Sequence, residues 1–258
     1  MKVSSNQQYD KCFGAKYIST WNCKNAKGDL KRVAILSLEK SDLPIFNELS
    51  KFQLLSKRFD VIRRSIMYST VKTIRSILLS QEEKFKKTKM FVAVESGKLC
   101  GMLVGNIPKM SSATNKIVYS SRHNSAKKEA EIDWLLTWNP TAEEKIQGVG
   151  KALVGEYFYT ISQDSFKDVF VKSEIPEYSE AVYFYEKLGF EWLGMRHIDM
   201  CNKNTNKGVV DNFSDWDDSV IPMIITHSKI QETLNTLEKN MDRRESNSGS
   251  IELSNMIS

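Results

Sequence analysis

Lys145-Ile146-Gln147-Gly148-Val149-Gly150-Lys151-Ala152 follows an extended apolar run, Glu129–Trp138 (EAEIDWLLTW), and a short polar loop opened by Asn139-Pro140. Beyond it, apolar residues recur at helical spacing through Ile161. The order is strand, loop, glycine pair, helix. Glycines at 148 and 150 let the backbone approach a bulky anion and leave successive N–H groups pointing outward. A helix that begins there adds its partial positive charge. Lys145 and Lys151 place full charges at the rim. A diphosphate has a natural seat in such a turn. A plain helix start is the other reading of a lone G-x-G.

Working outward, Phe166–Val171 (FKDVFV) reads as a strand, and Tyr178–Leu188 as a helix stopped by Gly189. Phe190–Met195 and Ile221–Thr226 read as the last strands. Upstream, Arg32–Leu38 (RVAILSL) is a compact, partly β-branched strand. Ser41-Asp42-Leu43-Pro44 supplies a cap and a first-turn proline for a helix to about Leu55. A second helix, Phe59–Leu79, has an apolar face of Ile62, Ile66, Val71, Ile74 and Leu78. Its other face is basic, with Arg63, Arg64, Lys72 and Arg75, and Lys84, Lys86, Lys87 and Lys89 follow. Met90–Glu95 and Lys98–Ile107 flank Ser96-Gly97, a hairpin signal. The pattern predicts a mixed sheet with helices on its faces, outside the strict βαβ alternation of a dinucleotide-binding fold.

The edges are polar. Residues 1–30 read as an arm with one short strand near Lys16–Trp21. Pro108–Lys128 reads as a loop, and Cys201–Ser219 as an insertion with an acidic end at Asp211, Asp215, Asp217 and Asp218. Ser228–Asp242 is an amphipathic helix, and Arg243–Ser258 is expected to lack order. The expected division is an arm at 1–30, a domain at 31–227 carrying the 201–219 insertion, and a helix with a tail at 228–258.

The bulk numbers narrow the class. A chain of 258 residues, 41% hydrophobic, fills one substantial core. The net charge of +5 points only weakly to an acidic partner. The cysteines at 12, 23, 100 and 201 form no CxxC, so free thiols in a reducing compartment are expected. The histidines at 123, 197 and 227 stand far apart with no HExxH pattern, so no metal is expected. No apolar stretch follows Met1-Lys2-Val3-Ser4-Ser5-Asn6-Gln7, and none approaches the ~18–20 residues of a membrane helix. A cytoplasmic protein with no membrane contact is the expectation.

A second motif follows the glycine turn across one strand: Ala181-Val182-Tyr183-Phe184-Tyr185-Glu186-Lys187-Leu188-Gly189-Phe190. With it the chain resembles the GNAT superfamily of N-acetyltransferases. That family carries a (Gln/Arg)-x-x-Gly-x-(Gly/Ala) turn and then an A-x-x-F-Y-x-K-x-G-F helix. Ala181, Phe184, Tyr185, Lys187, Gly189 and Phe190 meet the second pattern in full. The first has one departure, Lys145 in place of Gln or Arg, and the loop from Pro140 to Lys145 is slightly longer than usual. Lysine is a point charge rather than a planar fork, so an anion would be held with different geometry. The resemblance covers roughly Arg32–Thr226.

It implies an α/β (α+β) fold with a mixed, mostly antiparallel central sheet of about six to seven strands flanked by helices. It implies acetyl-CoA as co-substrate, no metal, and direct transfer of the acetyl group to a primary amine. Leu136, Thr137 and Trp138 would pair with the pantetheine arm as an added strand would, one N–H polarising the thioester carbonyl. Gln147, Gly148, Val149, Gly150, Lys151 and Ala152 would hold the pyrophosphate through their amides, beside Lys145 and Ile146. Tyr185 would protonate the departing thiolate. The plain alternative for Tyr185 is a buried aromatic with its hydroxyl satisfied.

Glu131 and Asp133 stand two apart on the strand leading to the turn and share a face, so either, first Glu131, is a candidate base. Solvated strand-edge carboxylates are the plain alternative. Trp134, Trp138, Tyr157, Phe158 and Tyr159 read as core rather than as a stacking surface for bases. The basic stretch 57–90 reads as a solvated face ahead of a docking site for nucleic acid. Two competing functions remain: a catalytically silent acyl-CoA-binding module, and acetylation of a nucleic-acid-linked amine. Monomer and homodimer are both open.

Overall fold

The computed structural model describes residues 16–39, 42–43, 46–47, 68, 71–72, 74–77, 79, 88–106, 129–137, 145–162, 168–174, 180–192 and 220–245. They divide into two compact units. One holds the described parts of Met1–Val104, Trp134–Tyr157 and Leu237–Ser258; the other holds those of Gly105–Asp133 and Phe158–Thr236. Sequence reading expected one core here. The class is the expected one, a mixed and largely antiparallel sheet with helices on its faces.

The first unit is built on β1 (Lys16–Asn25), β2 (Leu30–Ser37), β3 (Thr88–Glu95), β4 (Lys98–Asn106) and the end of β5 (Glu129–Thr137). With β10 (Arg243–Glu245) they run in the order β10-β1-β2-β3-β4-β5, and β6 (Ile146–Gln147) pairs with β1. β2 shows why its sequence is a continuous apolar run: Val33, Ala34, Ile35 and Leu36 are all buried, so both faces are covered. Each such large side chain contributes about 1.5–3 kcal/mol by leaving water. The β1–β2 turn is held by Asn25, whose Oδ1 accepts from Lys27 N at 3.0 Å and Asp29 N at 2.8 Å. The β3–β4 turn places Ser96 (φ 48°) and Gly97 (φ 71°) in left-handed conformation, as a two-residue hairpin of right-twisted strands requires.

On one face of this sheet, Tyr17, Leu36, Val92, Leu99 and Met102 pack with Phe46, Val71 and Ile74 from between β2 and β3. Phe46, Val71 and Ile74 are helical, as are the other described residues between Leu43 and Leu79, in the two segments where helices are expected. The opposite face takes α1 (Val149–Ser162), which belongs to this unit through Tyr157. Gly101 of β4 is the contact point: a Cβ there would lie 2.8 Å from Val149 Cγ1 and 3.1 Å from the Leu136 carbonyl. Glycine lets strand and helix close together.

The second unit has the order β5-β7-β9-β8, with β7 (Asp168–Glu174), β8 (Glu191–Trp192) and β9 (Val220–Thr226). β5 and β7 are parallel, with Ala130 opposite Val169 and Ile132 opposite Val171, and α1 is the crossover that a parallel pair needs. β9 is antiparallel to β7 and β8. α2 (Glu180–Glu186) ends at Gly189 (φ 88°), where Phe190 N donates to Tyr185 O at 3.0 Å. α3 (His227–Met241) fastens this end through Thr233 Oγ1, which donates to Leu188 O at 2.9 Å.

Three expectations change. The short strand near Lys16–Trp21 is a ten-residue strand of the sheet, and Trp21 is fully buried. The tail expected to lack order begins with β10, Trp21 pairing with Arg243 and Ser19 with Glu245. The described strands number ten rather than six or seven, because β6 and β10, two and three residues long, carry no sequence pattern and β1 is a full strand of the sheet. Residues 108–128 and 201–219 lie outside the described residues.

Candidate functional site

The glycine turn lies wholly in the first unit. Its approach is a strand: Ile146 pairs with Asn25 and Gln147 with Lys24. Gly148 then turns at φ 97°, and α1 begins at Val149. Glycine is required at 148 by that φ, and a Cβ would stand 2.9 Å from Met241 Cε and 3.5 Å from Cys23 Sγ. Val149 and Ala152 are buried and anchor the helix start in the core, while Lys145 and Gln147 are exposed and Lys151 is half-buried.

The first bond closed at this end runs from Ala152 N–H to Gly148 O at 2.9 Å. The amides of Val149, Gly150 and Lys151 are left without an acceptor inside the helix. The predicted fan of amides from Gln147 to Ala152 loses Ala152, which is spent on the helix. No acidic residue stands in the first turn to compete for these donors. Amides without a helical acceptor, the helix's positive end and Lys151 suit a dense anion such as a diphosphate. Leu136 and Thr137 end β5 half-buried and exposed, respectively, and Trp138 lies outside the described residues.

Sequence reading missed a second feature of α1. Glu156, 1% exposed, accepts from Trp21 Nε1 at 2.8 Å, from Arg243 Nε at 2.7 Å and Nη2 at 3.2 Å, and from Ser19 Oγ. Arg243 Nη1 also reaches Glu245 Oε1 at 2.5 Å. Burial opposes the Arg243 charge, but its bonds to Glu156 and Glu245 outweigh that and hold it protonated above the ordinary range. A carboxylate with these partners is not a free base. The available signal was one acid inside the apolar stretch VGKALVGEYFYTIS.

The buried thiols of the same unit are inert. Burial pushes the Cys23 thiol up to about 12. Burial first, then the charges of Cys23 and Glu95, raises Cys100, whose Sγ donates to Ala93 O at 3.3 Å. Cys12 and Cys201 lie outside the described residues.

The second unit holds Tyr185, Glu131 and Asp133. Tyr185 is buried, its ring edge-to-face with Phe184 at 5.1 Å and Phe190 at 5.2 Å. α2 is short, and its glycine stop returns Phe190 onto the Tyr185 ring. The chain of rings continues to Phe158, 6.1 Å from Phe190. Burial lifts the Tyr185 hydroxyl above the ordinary phenol range, so it stays protonated at neutral pH. Glu131, opposite Phe170 in the ladder, is half-buried, and Asp133 is exposed. Both lie on the strand face opposite buried Ala130 and Ile132, and both are engaged in polar interactions. Of the aromatics read as core, Tyr157 and Phe158 are fully buried, but Trp134 is 39% exposed.

Among the described residues, no cluster of three His, Cys, Asp or Glu could hold a metal, and no helix is long and apolar enough to cross a membrane. No known family's sequence profile matches the chain, and no curated protein does. Solved structures are similar in chain trace. PaiA N-acetyltransferase from Thermoplasma acidophilum, in complex with coenzyme A, is 14% identical with a TM-score of 0.45, over 76% of this chain and 99% of that one. An uncharacterized protein from Bacillus halodurans is 10% identical with a TM-score of 0.49, over 86% and 97%. The ribosomal-protein-S18-alanine N-acetyltransferase from Escherichia coli is 16% identical with a TM-score of 0.40, over 75% and 93%. Likeness at this level carries no activity from one chain to another, and the functional reading rests on the residues.

Proposed function

We propose that the chain is a GNAT-type N-acetyltransferase that moves the acetyl group of acetyl-CoA to a primary amine. The observation that carries this reading is the turn at Gly148. It leaves the amides of Val149, Gly150 and Lys151 without an acceptor inside the helix, at the positive end of a helix with no acid in its first turn. The pyrophosphate of the co-substrate would take those donors, with Lys151 and Lys145 at its rim. Leu136, Thr137 and Trp138 would offer strand-like pairing to the pantetheine arm.

In the proposed reaction the neutral amine attacks the thioester carbonyl. The C–N bond forms, the C–S bond breaks, and the thiolate takes the Tyr185 proton. Tyr185 carries that proton at neutral pH as any phenol does, and the burial that raises it makes it the weaker acid of the two until the charged thiolate forms beside it. Glu131, or Asp133, would take the proton that the amine loses. The acceptor is a small molecule or a protein amine, and the enzyme acts as a monomer or homodimer. The cytoplasm suits the free buried thiols Cys23 and Cys100.

Calorimetric titration with acetyl-CoA tests the reading. One site with a micromolar-range dissociation constant is expected, on the order of −8 kcal/mol. Absence of heat up to millimolar acetyl-CoA would overturn it.

A further inference from the structure

We propose that the C-terminal segment Leu237–Glu245 is a positioning strap for the anion-binding turn, with Met241 and Arg243 setting the pose of Gly148 and α1 and so the affinity for acetyl-CoA. The inference rests on the reading of the turn as the co-substrate site and adds to it residues that never touch the ligand.

Every contact falls within the first unit. Met241, the last residue of α3, lies against Gly148, where a Cβ would meet its Cε at 2.9 Å. Two helical turns further along α1, a Cβ at Gly155 would meet Trp21 Cη2 at 2.9 Å and Leu237 Cδ1 at 3.4 Å. Beside it, the Arg243 fork grips both oxygens of Glu156, at 2.7 and 3.2 Å. α1 is therefore held from the C-terminal segment at its first turn and again two turns on. Two attachments fix rotation as well as position, and rotation decides where the amides of Val149, Gly150 and Lys151 point.

The strap itself is tied to β1. Asp242 turns the chain in left-handed conformation (φ 46°), and its N–H caps α3 by donating to Glu238 O at 3.0 Å. Its Oδ2 accepts from Asn22 Nδ2 at 2.8 Å, and β10 then pairs with Ser19, Thr20 and Trp21. There is an electrostatic part as well. Glu156 lies about 10 Å along the axis from the helix start. Unneutralised, its charge would oppose the positive end that holds the anion; Arg243 cancels it.

The test compares wild type, Arg243→Met, Arg243→Lys, Met241→Ala and Lys229→Ala in the full chain. Dissociation constants for CoA and steady-state parameters for acetyl-CoA are measured well below each unfolding temperature. Arg243→Met is expected to raise Kd and KM about tenfold with kcat within about twofold, because orientation of the site is loosened and the reacting groups are not. Arg243→Lys should recover part of the loss by restoring charge without the fork. Met241→Ala, which removes no charge, should raise Kd by several-fold, and it keeps the test open if Arg243→Met does not fold. Lys229→Ala removes an exposed pair with Glu191, outside the strap, and should leave Kd unchanged. Folded Arg243→Met and Met241→Ala proteins with wild-type Kd would overturn the strap. So would a fall of kcat in step with affinity. A wild type that binds no CoA overturns the co-substrate reading itself, and the strap with it.

Discussion

At Tyr185 the proposed reaction turns on a single oxygen. Tyr185→Phe keeps the edge-to-face contacts with Phe184 and Phe190 and removes only the proton donor. If the phenol protonates the thiolate, kcat should fall about 10²-fold or more, with KM for acetyl-CoA little changed. Thiol release followed spectrophotometrically gives both numbers. Equal rates in mutant and wild type would return Tyr185 to a packing role and favour the silent acyl-CoA-binding reading. Gly148 offers a second single-residue test, on binding rather than chemistry. The Met241 methyl that a Cβ would meet is the end of a flexible side chain and can move. The φ of 97° cannot, so strain decides. Gly148→Ala should cost about 1–3 kcal/mol of stability and weaken CoA binding by a similar factor in free energy. Denaturant unfolding and calorimetry check the two effects separately, and a mutant as stable as wild type would show that the turn tolerates a side chain.

Among the elements, α1 is the one whose fastening is least ordinary, because a buried carboxylate and a buried guanidinium hold it to β1 and β10. Glu156→Ala leaves Arg243 charged and without its main partner, and should destabilise by about 3–5 kcal/mol in denaturant unfolding. Pairing it with Arg243→Met should restore much of that loss; a double mutant as unstable as Glu156→Ala would mean that the ion pair contributes little beyond packing. This network also marks the limit of what could be read without coordinates. β2, the Ser96-Gly97 hairpin and the Gly189 stop were legible, because an apolar run buried on both faces and left-handed turn residues leave local signatures. β10 was not. Arg243-Arg244-Glu245 is polar, and its place in the sheet depends on one arginine meeting a glutamate far away in sequence. β1 was read short for the same reason: Ser19 looks like a surface residue until Glu156 is seen beneath it. In the candidate site, the glycine turn and the Tyr185 helix were legible as motifs. That Ala152 is spent on the helix was not, because it depends on where the first helical bond closes.

For the molecule as a whole, the buried acids that ionise at high pH set an alkaline limit, and the sign follows from their direction. Cys23 is pushed up to about 12, and burial also raises Cys100 and Tyr185. A raised value in the folded state means that the protonated form is favoured by folding. The stability tied to these groups is fully present below their ordinary values, about 9 for the thiols and about 10 for the phenol, and is lost as pH rises through the folded values. The unfolding temperature should therefore not vary with pH on their account from pH 7 to about 8.5, begin to fall above about 9, and fall more steeply above about 10. The two parts separate by mutation, and they belong to different units: the thiols to the first, Tyr185 to the second. A Cys23→Ala/Cys100→Ala variant should start lower, through lost packing, but show a flatter slope between about pH 9 and 10. Tyr185→Phe should keep the thiol slope and flatten the part above about 10. Differential scanning fluorimetry across this range reads both. Parallel curves for wild type and the double cysteine variant would show that the thiols are not held protonated by burial, and would remove the basis for calling them inert.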